Sequence, residues 1–277
     1  VREAATLDIG AWGEDTFLAA EECREILHRM VGSHRDFGVV LLPGSGTYGV
    51  ESIIGSFVPR DGQLLILRTG VYGERLVGIA SGLGMDHAVY RQDERTRLDA
   101  AQVDAFLAQH PEATHVAFCH CETTTGVLNR LDELGPVVAR HGKRIILDAM
   151  ATLAGCEVGP GRSIDLDGAP IDHLITSSNK SIQGLPGMCC IISRTCDLES
   201  CEGQARSMSL DVPAQWRAMR ERRRFRFTPP THVLLALRQA LRELEEEGFD
   251  ARAERYRANQ RVALDRLTPL GFTPYVE

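Results

Sequence analysis

Short apolar runs recur along this chain, and most of them end in a polar or glycine-rich turn. Phe37 to Leu42 leads into Pro43-Gly44-Ser45-Gly46-Thr47, and Leu64 to Leu67 into Thr69-Gly70. Val116 to Phe118 precedes a polar segment, Ile145 to Leu147 ends at Asp148, and Leu174 to Thr176 precedes Ser177-Ser178-Asn179-Lys180. Met188 to Ile192 reads as one more buried strand. Runs this short and this uniformly apolar suit strands covered on both faces. Segments with helical spacing fall between them at 17–30, 48–57, 74–82, 99–108 and 131–141. That order predicts an α/β fold, a three-layer α/β/α sandwich. In such a sheet ligands bind where the strands end, so the polar turns are the candidate site. Residues 203–230 break the pattern with Ser207, Ser209, an arginine-rich stretch at 220–224 and Thr228-Pro229-Pro230. Long helices are then expected at 232–247, with Val233, Leu234, Leu237, Leu241 and Leu244 on one stripe, and at 250–267.

Composition narrows the function classes. The chain has 277 residues, enough for one large domain or one and a fraction, with no need of a disulfide staple. Its formal charge is -7, with 43% apolar and 25% charged residues, which excludes a disordered, collagen-like or strongly basic nucleic-acid-binding protein. No apolar run approaches the ~20 residues of a membrane span, and Val1-Arg2-Glu3 does not open a secretory signal. A cytoplasmic protein is expected. The eight cysteines then read as free, mostly buried thiols. Cys119-His120-Cys121 invites a zinc reading, but no second ligand pair follows at metal spacing, so no metal is expected. His28, His87, His110, His115, His141 and His173 read as surface, cap or core-edge residues.

Three turns carry chemistry together. Gly44-Ser45-Gly46-Thr47 before a helix offers free N–H groups and hydroxyls to a phosphate, although neither the Walker A nor the dinucleotide pattern is complete. Asp148 ends one strand and Lys180 follows another. A carboxylate can hold a ring nitrogen protonated, and a lysine can form a Schiff base. With a phosphate site these are the requirements of pyridoxal 5'-phosphate chemistry. Tyr72, near another strand end, could stack on the ring. The arginines at 222–224 read as a solvated rim, with an anion site as the alternative.

Gly44-Ser45-Gly46-Thr47, the run from His120 to Asn129 containing Glu122-Thr123-Thr124-Thr125-Gly126, Asp148-Ala149-Met150, Ser177-Ser178-Asn179-Lys180 with Gly184-Leu185-Pro186-Gly187, and Arg206-Ser207-Met208-Ser209-Leu210-Asp211 resemble one family. It is the 2-aminoethylphosphonate:pyruvate transaminase branch of the fold type I, class V aminotransferases, and the resemblance covers the chain to about residue 265. It implies that Lys180 is the Schiff-base lysine, Asp148 the partner of the pyridine nitrogen and Tyr72 the stacking residue. Ser45, Gly46 and Thr47 would bind the phosphate, Thr124 would lie near the ring hydroxyl, and Asn179 would contact the cofactor. A homodimer with shared active sites is implied, Thr228 reaching the neighbouring subunit's phosphate. The expected reaction moves the amino group of 2-aminoethylphosphonate to pyruvate, giving phosphonoacetaldehyde and L-alanine. A serine or alanine:glyoxylate transaminase, an amino-phosphonate lyase and a cofactor-free interaction protein are the alternatives.

The same resemblance implies a division of the chain. Residues 1–30 would be an N-terminal helical segment and 31–248 the cofactor-binding large domain. Residues 249–277 would begin a small C-terminal domain that is otherwise largely absent, so that the chain reads as a fragment. Pro43 and Ala151 depart from the family pattern, which has Gln and a small hydroxyl residue there, and Thr152 is expected to compensate for the second.

Overall fold

The computed structural model describes residues 1–32, 36–159, 161–166 and 168–276. After a 3-10 turn at Ala4–Thr6, α1 (Glu14–Met30) leads to β1 (Phe37–Pro43), α2 (Gly46–Phe57), β2 (Gln63–Arg68), α3 (Val71–Gly82) and β3 (His87–Arg91). There follow α4 (Ala100–Ala108), β4 (Ala113–Cys119), a small hairpin of β5 (Cys121–Glu122) and β6 (Val127–Leu128), α5 (Leu131–Arg140) and β7 (Arg144–Asp148). The chain then runs through β8 (Ile171–Ser177), β9 (Met188–Arg194), α6 (Thr195–Ser200), α7 (Val212–Arg222), α8 (Thr231–Glu247) and α9 (Phe249–Leu267).

Seven strands form one sheet in the order β1-β9-β8-β7-β4-β2-β3. All pairings among β8, β7, β4, β2 and β3 are parallel, while β9 is antiparallel to both β8 and β1. The apolar runs read from the sequence are these strands, and the uniform apolarity has the expected cause. In β2, Leu65 and Leu67 enter the core on one face, and Leu64 and Ile66 enter the core on the other. All four are fully buried, each contributing about 1.5–3 kcal/mol of transfer free energy. The helices α1, α4, α5 and α8 cover the first face; α2, α3 and α7 cover the second.

Local signals place the helix ends. Asp99 accepts the Gln102 N–H to cap α4, and Asp211 accepts the Ala214 N–H to cap α7. The Leu234, Leu237, Leu241 and Leu244 stripe of α8 is fully buried, and Arg29 and Arg242 tie α1 to α8 through Glu245 and Glu22. Gly38 in β1 is required by packing, since a Cβ there would lie 2.6 Å from Leu198 and 2.8 Å from Trp216.

The structure adds elements that the apolar pattern does not announce. β3 at the sheet's edge is only partly buried, the β5–β6 hairpin has strands of two residues each, and α7 lies inside the segment that seemed to break the pattern. Among the described residues no helix is long and apolar enough to cross a membrane.

Candidate active site

Because β9 runs against its neighbours, its first residue Met188 pairs with Pro43 at the end of β1. The ends of β1, β4, β7 and β8 and the start of β9 therefore share one edge of the sheet, and a pocket of about 210 Å³ opens there.

One wall is the start of α2. Gly44 has φ +141°, a conformation that favours glycine, and donates its N–H to Gly187 O at 3.0 Å. A Cβ on Gly46 would lie 2.5 Å from Met150 Sδ, so any larger residue at the helix start would have to push the Met150 side chain aside. The first α2 bond runs from Gly49 N to Ser45 O, which leaves the Gly46, Thr47 and Tyr48 N–H groups free of intrahelical acceptors. Ser45 makes no side-chain cap, so its hydroxyl is also available. This is an anion cradle.

The opposite wall is the first turn of α3. The buried Glu122 carboxylate accepts the Tyr72 N–H at 3.1 Å and the Gly73 N–H at 2.8 Å, using negative charge to terminate the helix. Gly70 makes room for it, since a Cβ there would meet the Glu122 carboxyl carbon at 2.9 Å. The β5–β6 hairpin delivers Glu122, closed by the Gly126 N–H on Glu122 O at 2.7 Å. Tyr72 and Arg75, one helical turn apart, both line the pocket, and the Arg75 guanidinium sits 4.7 Å from the Tyr72 ring centre.

The floor is Asp148. Its Oδ1 accepts the Met150 N–H at 3.0 Å, and the Cys119 thiol lies 3.6 Å from Oδ2. Burial pushes this carboxyl up to about 6; the Met150 N–H, the thiol and the positive Arg75 act against the rise, and Glu122 adds to it. At neutral pH the group is ionised at a cost that a cation in the pocket would relieve.

Lys180 enters on a braced loop. The Ser178 N–H donates to Met188 O at 3.0 Å, the Gly184 N–H to Ser178 O at 2.7 Å, and the Ser181 hydroxyl to Ala151 O at 3.0 Å. Arg252 of α9, 3% exposed, holds Ser181 O at 2.8 Å from below. The Ser177 hydroxyl orients Asn179 through Oδ1 at 3.0 Å. The Lys180 carbonyl accepts the Gln183 N–H at 2.8 Å, while its ammonium group makes no hydrogen bond or ion pair with the described residues and lines the pocket.

The structure thus brings together Ser45, Gly46, Thr47, Tyr72, Asp148, Asn179 and Lys180. Thr124 is exposed in the hairpin turn and does not line the pocket, whereas its neighbour Thr123 does. Thr228 is exposed in the segment ahead of α8 and does not line the pocket of its own chain. Thr152 is buried with its hydroxyl 2.9 Å from His120 Nδ1, while Ala151 lines the pocket. Burial lowers His120 to about 4, so it is a neutral core histidine. Arg220 and Arg223 pair with Glu199 and Glu14, and no residue of the arginine run lines the pocket, which favours the rim reading. Arg75 was not singled out from sequence, Cys119 was weighed only as a metal ligand, and Glu122 entered only as part of the family motif. A signal existed for Arg75, one turn after Tyr72 at a helix start, but it needs the helix boundary at Val71 to be seen.

The sequence matches the aminotransferase class-V family over residues 5–276. It is 45% identical over 280 residues to a 2-aminoethylphosphonate-pyruvate transaminase of Aeromonas hydrophila, covering 99% of this chain and 72% of that protein. It is 42% identical over 281 residues to the protein of that name from Bacteroides fragilis, covering 100% and 76%. Among solved structures, an alanine-glyoxylate aminotransferase from Nostoc sp. superposes with a TM-score of 0.89 at 23% identity, over 99% of this chain and 72% of that one. A pyridoxamine-pyruvate aminotransferase from Mesorhizobium loti gives 0.81 at 23% identity, over 92% and 64%. At such identity these superpositions speak for the fold alone. A match spanning nearly the whole sequence, with relatives above 40% identity, makes this chain a member of the class-V aminotransferase family.

Proposed function

We propose that this pocket binds pyridoxal 5'-phosphate and transfers the amino group of 2-aminoethylphosphonate to pyruvate, releasing phosphonoacetaldehyde and L-alanine. The single observation that carries the reading is the joint placement of an unpartnered Lys180 ammonium, the half-buried Asp148 and the α2 anion cradle around one pocket. The named relatives supply the substrates. The donor set fits the cofactor: a helix start with free N–H groups for a phosphate, a carboxylate in need of a cation, and an aromatic side chain beside them.

When bound, the cofactor supplies an electron sink for the pair left as the donor loses its proton. Asp148 holds a proton at the ring nitrogen, with Met150 N–H and the Cys119 thiol fixing its two oxygens. Lys180 would hold the cofactor at its carbonyl carbon, and its free amine would serve as the base and acid that moves the donor's proton. Tyr72 offers its face to the ring from a turn that Glu122 locks. Ser45, Gly46 and Thr47 hold the phosphate and Asn179 orients the cofactor beside Lys180, whereas Thr124, outside the pocket of its own chain, takes no part, and Thr123 is the hairpin residue that lines it.

The active form in this reading is a homodimer. Tyr48 and Val71, beside the pocket residues Thr47 and Tyr72, are 55% and 51% exposed, as an interface around the site requires. Thr228 would serve the neighbouring subunit's phosphate. The free state of all eight cysteines agrees with a cytoplasmic protein.

Incubation with pyridoxal phosphate, 2-aminoethylphosphonate and pyruvate should give equal amounts of alanine and aldehyde. Ammonia in place of alanine would identify a lyase, and turnover only with glyoxylate would identify the alternative transaminase. Lys180→Ala should abolish the visible band of the lysine-bound cofactor and the turnover; full activity in that variant would overturn the assignment.

A further inference from the structure

Two arginines beside this wall are answered by a carboxylate. Arg68 and Arg91 both close on Glu74, at 3.0 and 2.8 Å. Arg75, the next residue along α3, makes no ion pair with any described residue. Its Nη1 donates instead to Thr47 Oγ1 at 3.3 Å, reaching across the pocket to the first turn of α2. The flat guanidinium rests against the Tyr72 ring, which fixes its plane. A guanidinium carries five N–H donors in a rigid fork, and Thr47 occupies one of them. The remaining donors belong to a residue that lines the pocket and has no anion of its own.

The anion load of the proposed reaction is larger than the α2 cradle alone can serve. One helix start presents three unpaired N–H groups, enough for one phospho group, whereas the amino donor brings a second dianion into the same pocket. Lys180 is engaged in the chemistry. We propose that Arg75 is an anion ligand of this pocket, using its fork to hold a tetrahedral phospho group, either the donor's phosphonate or the cofactor's phosphate ester. This rests on the functional reading above. The Thr47 hydroxyl, shared by cradle and guanidinium, places Arg75 within reach of both. The positive charge also bears on Asp148, whose carboxyl burial raises and Arg75 lowers, so a neutral residue at 75 should move that carboxyl higher.

The test uses Arg75→Gln and Arg75→Lys in the full chain, with two readouts. The first is titration of cofactor-free protein with pyridoxal phosphate, and with pyridoxal, which has no phosphate. The second is KM and kcat for 2-aminoethylphosphonate in the loaded enzyme. Loss of a charge-assisted hydrogen bond should weaken one of them about 10- to 100-fold in the Gln variant, with partial recovery in the Lys variant. Weaker pyridoxal phosphate binding with unchanged pyridoxal binding identifies the phosphate ester. A raised KM with unchanged cofactor affinity identifies the phosphonate. If both quantities stay within about twofold of the unsubstituted protein, the proposal is overturned. The titration stands even if the unsubstituted protein makes no aldehyde, so failure of the functional reading is distinguishable from failure of this one.

Discussion

At the edge where β4, β7 and β8 finish, Asp148 has only the Met150 N–H and the Cys119 thiol as donors and faces a pocket, and Lys180 and Arg75 have no carboxylate partner among the described residues. At the edge where β7 and β8 begin, Asp172 and Asp197 are buried but are answered at once. Arg144 pairs with Asp197 and lies 3.7 Å from Asp172, Arg194 reaches Asp172 at 3.2 Å, and the Ile145 N–H donates to the other Asp172 oxygen at 2.8 Å. Burial raises all three carboxyls. The difference is who supplies the counter-charge: the chain itself at the far edge, a ligand at the near one. Unanswered charge marks the site, and answered charge whose carboxyl burial likewise raises marks the scaffold.

That comparison breaks if charge removal has the same effect at both edges. Asp148→Asn should have the largest consequence, lowering turnover at least about 100-fold, or about 2.7 kcal/mol of barrier. Yet it should stabilise the cofactor-free protein. The folded carboxyl titrates at about 6 against 3.8 for the ordinary group, so above pH 6 the folded state carries a charge that costs on the order of 2–3 kcal/mol. The cost fades as pH falls from 6 toward 4, so the gain should be seen in denaturant unfolding at pH 8 and be absent near pH 4. Destabilisation at pH 8 would refute this account of the pocket floor.

Asp172→Ala should do the reverse. It leaves the Ile145 N–H and Arg194 without their acceptor, and we expect a loss of about 2–3 kcal/mol, lowering Tm by about 5 °C or more, with kcat unchanged below the transition. A kcat loss without a Tm loss would mean that the far edge takes part in the chemistry.

The smallest effect concerns pH. His173 is fully buried, stacked on Phe57 at 4.0 Å, its ring nitrogens without hydrogen bonds and Asp197 3.6 Å away. Burial, with His115, Arg144 and Arg194 nearby, holds it well below its usual value, and His115 is lowered to about 3. The unfolded chain therefore binds protons that the folded one refuses: this contribution is complete above about pH 6.5 and is lost as pH falls through it. The raised carboxyls act in the opposite direction at lower pH. His173→Leu should flatten the decline of stability between pH 7.5 and 6; an unchanged slope would remove His173 from the explanation.

Much of this was legible beforehand. The runs at 37–42, 64–67, 145–147 and 174–176 predict buried strands because only a sheet covered on both faces makes every position apolar. Asp148 and Lys180 stood out because a polar residue directly after such a run lies at the sheet's edge. What stayed hidden depends on neighbours remote in sequence. Arg75 acquires meaning from Thr47, 28 positions away, and Glu122 from the α3 turn 49 positions before it. Thr152 reads as a site hydroxyl until its partner His120 is seen. Similarly, an apolar strand has no readable direction, so β9 gave no sign that it runs against β8.

The sequence by itself determined the layered α/β class, the glycine cradle and the paired Asp148 and Lys180, because these follow from local periodicity, turn chemistry and side-chain type. The tertiary structure alone decided which charges are left unanswered. Whether an arginine or a carboxylate finds its partner is set by the register of strands and by the meeting of helix starts across a pocket. Those distances are fixed by packing, which no single stretch of the chain encodes.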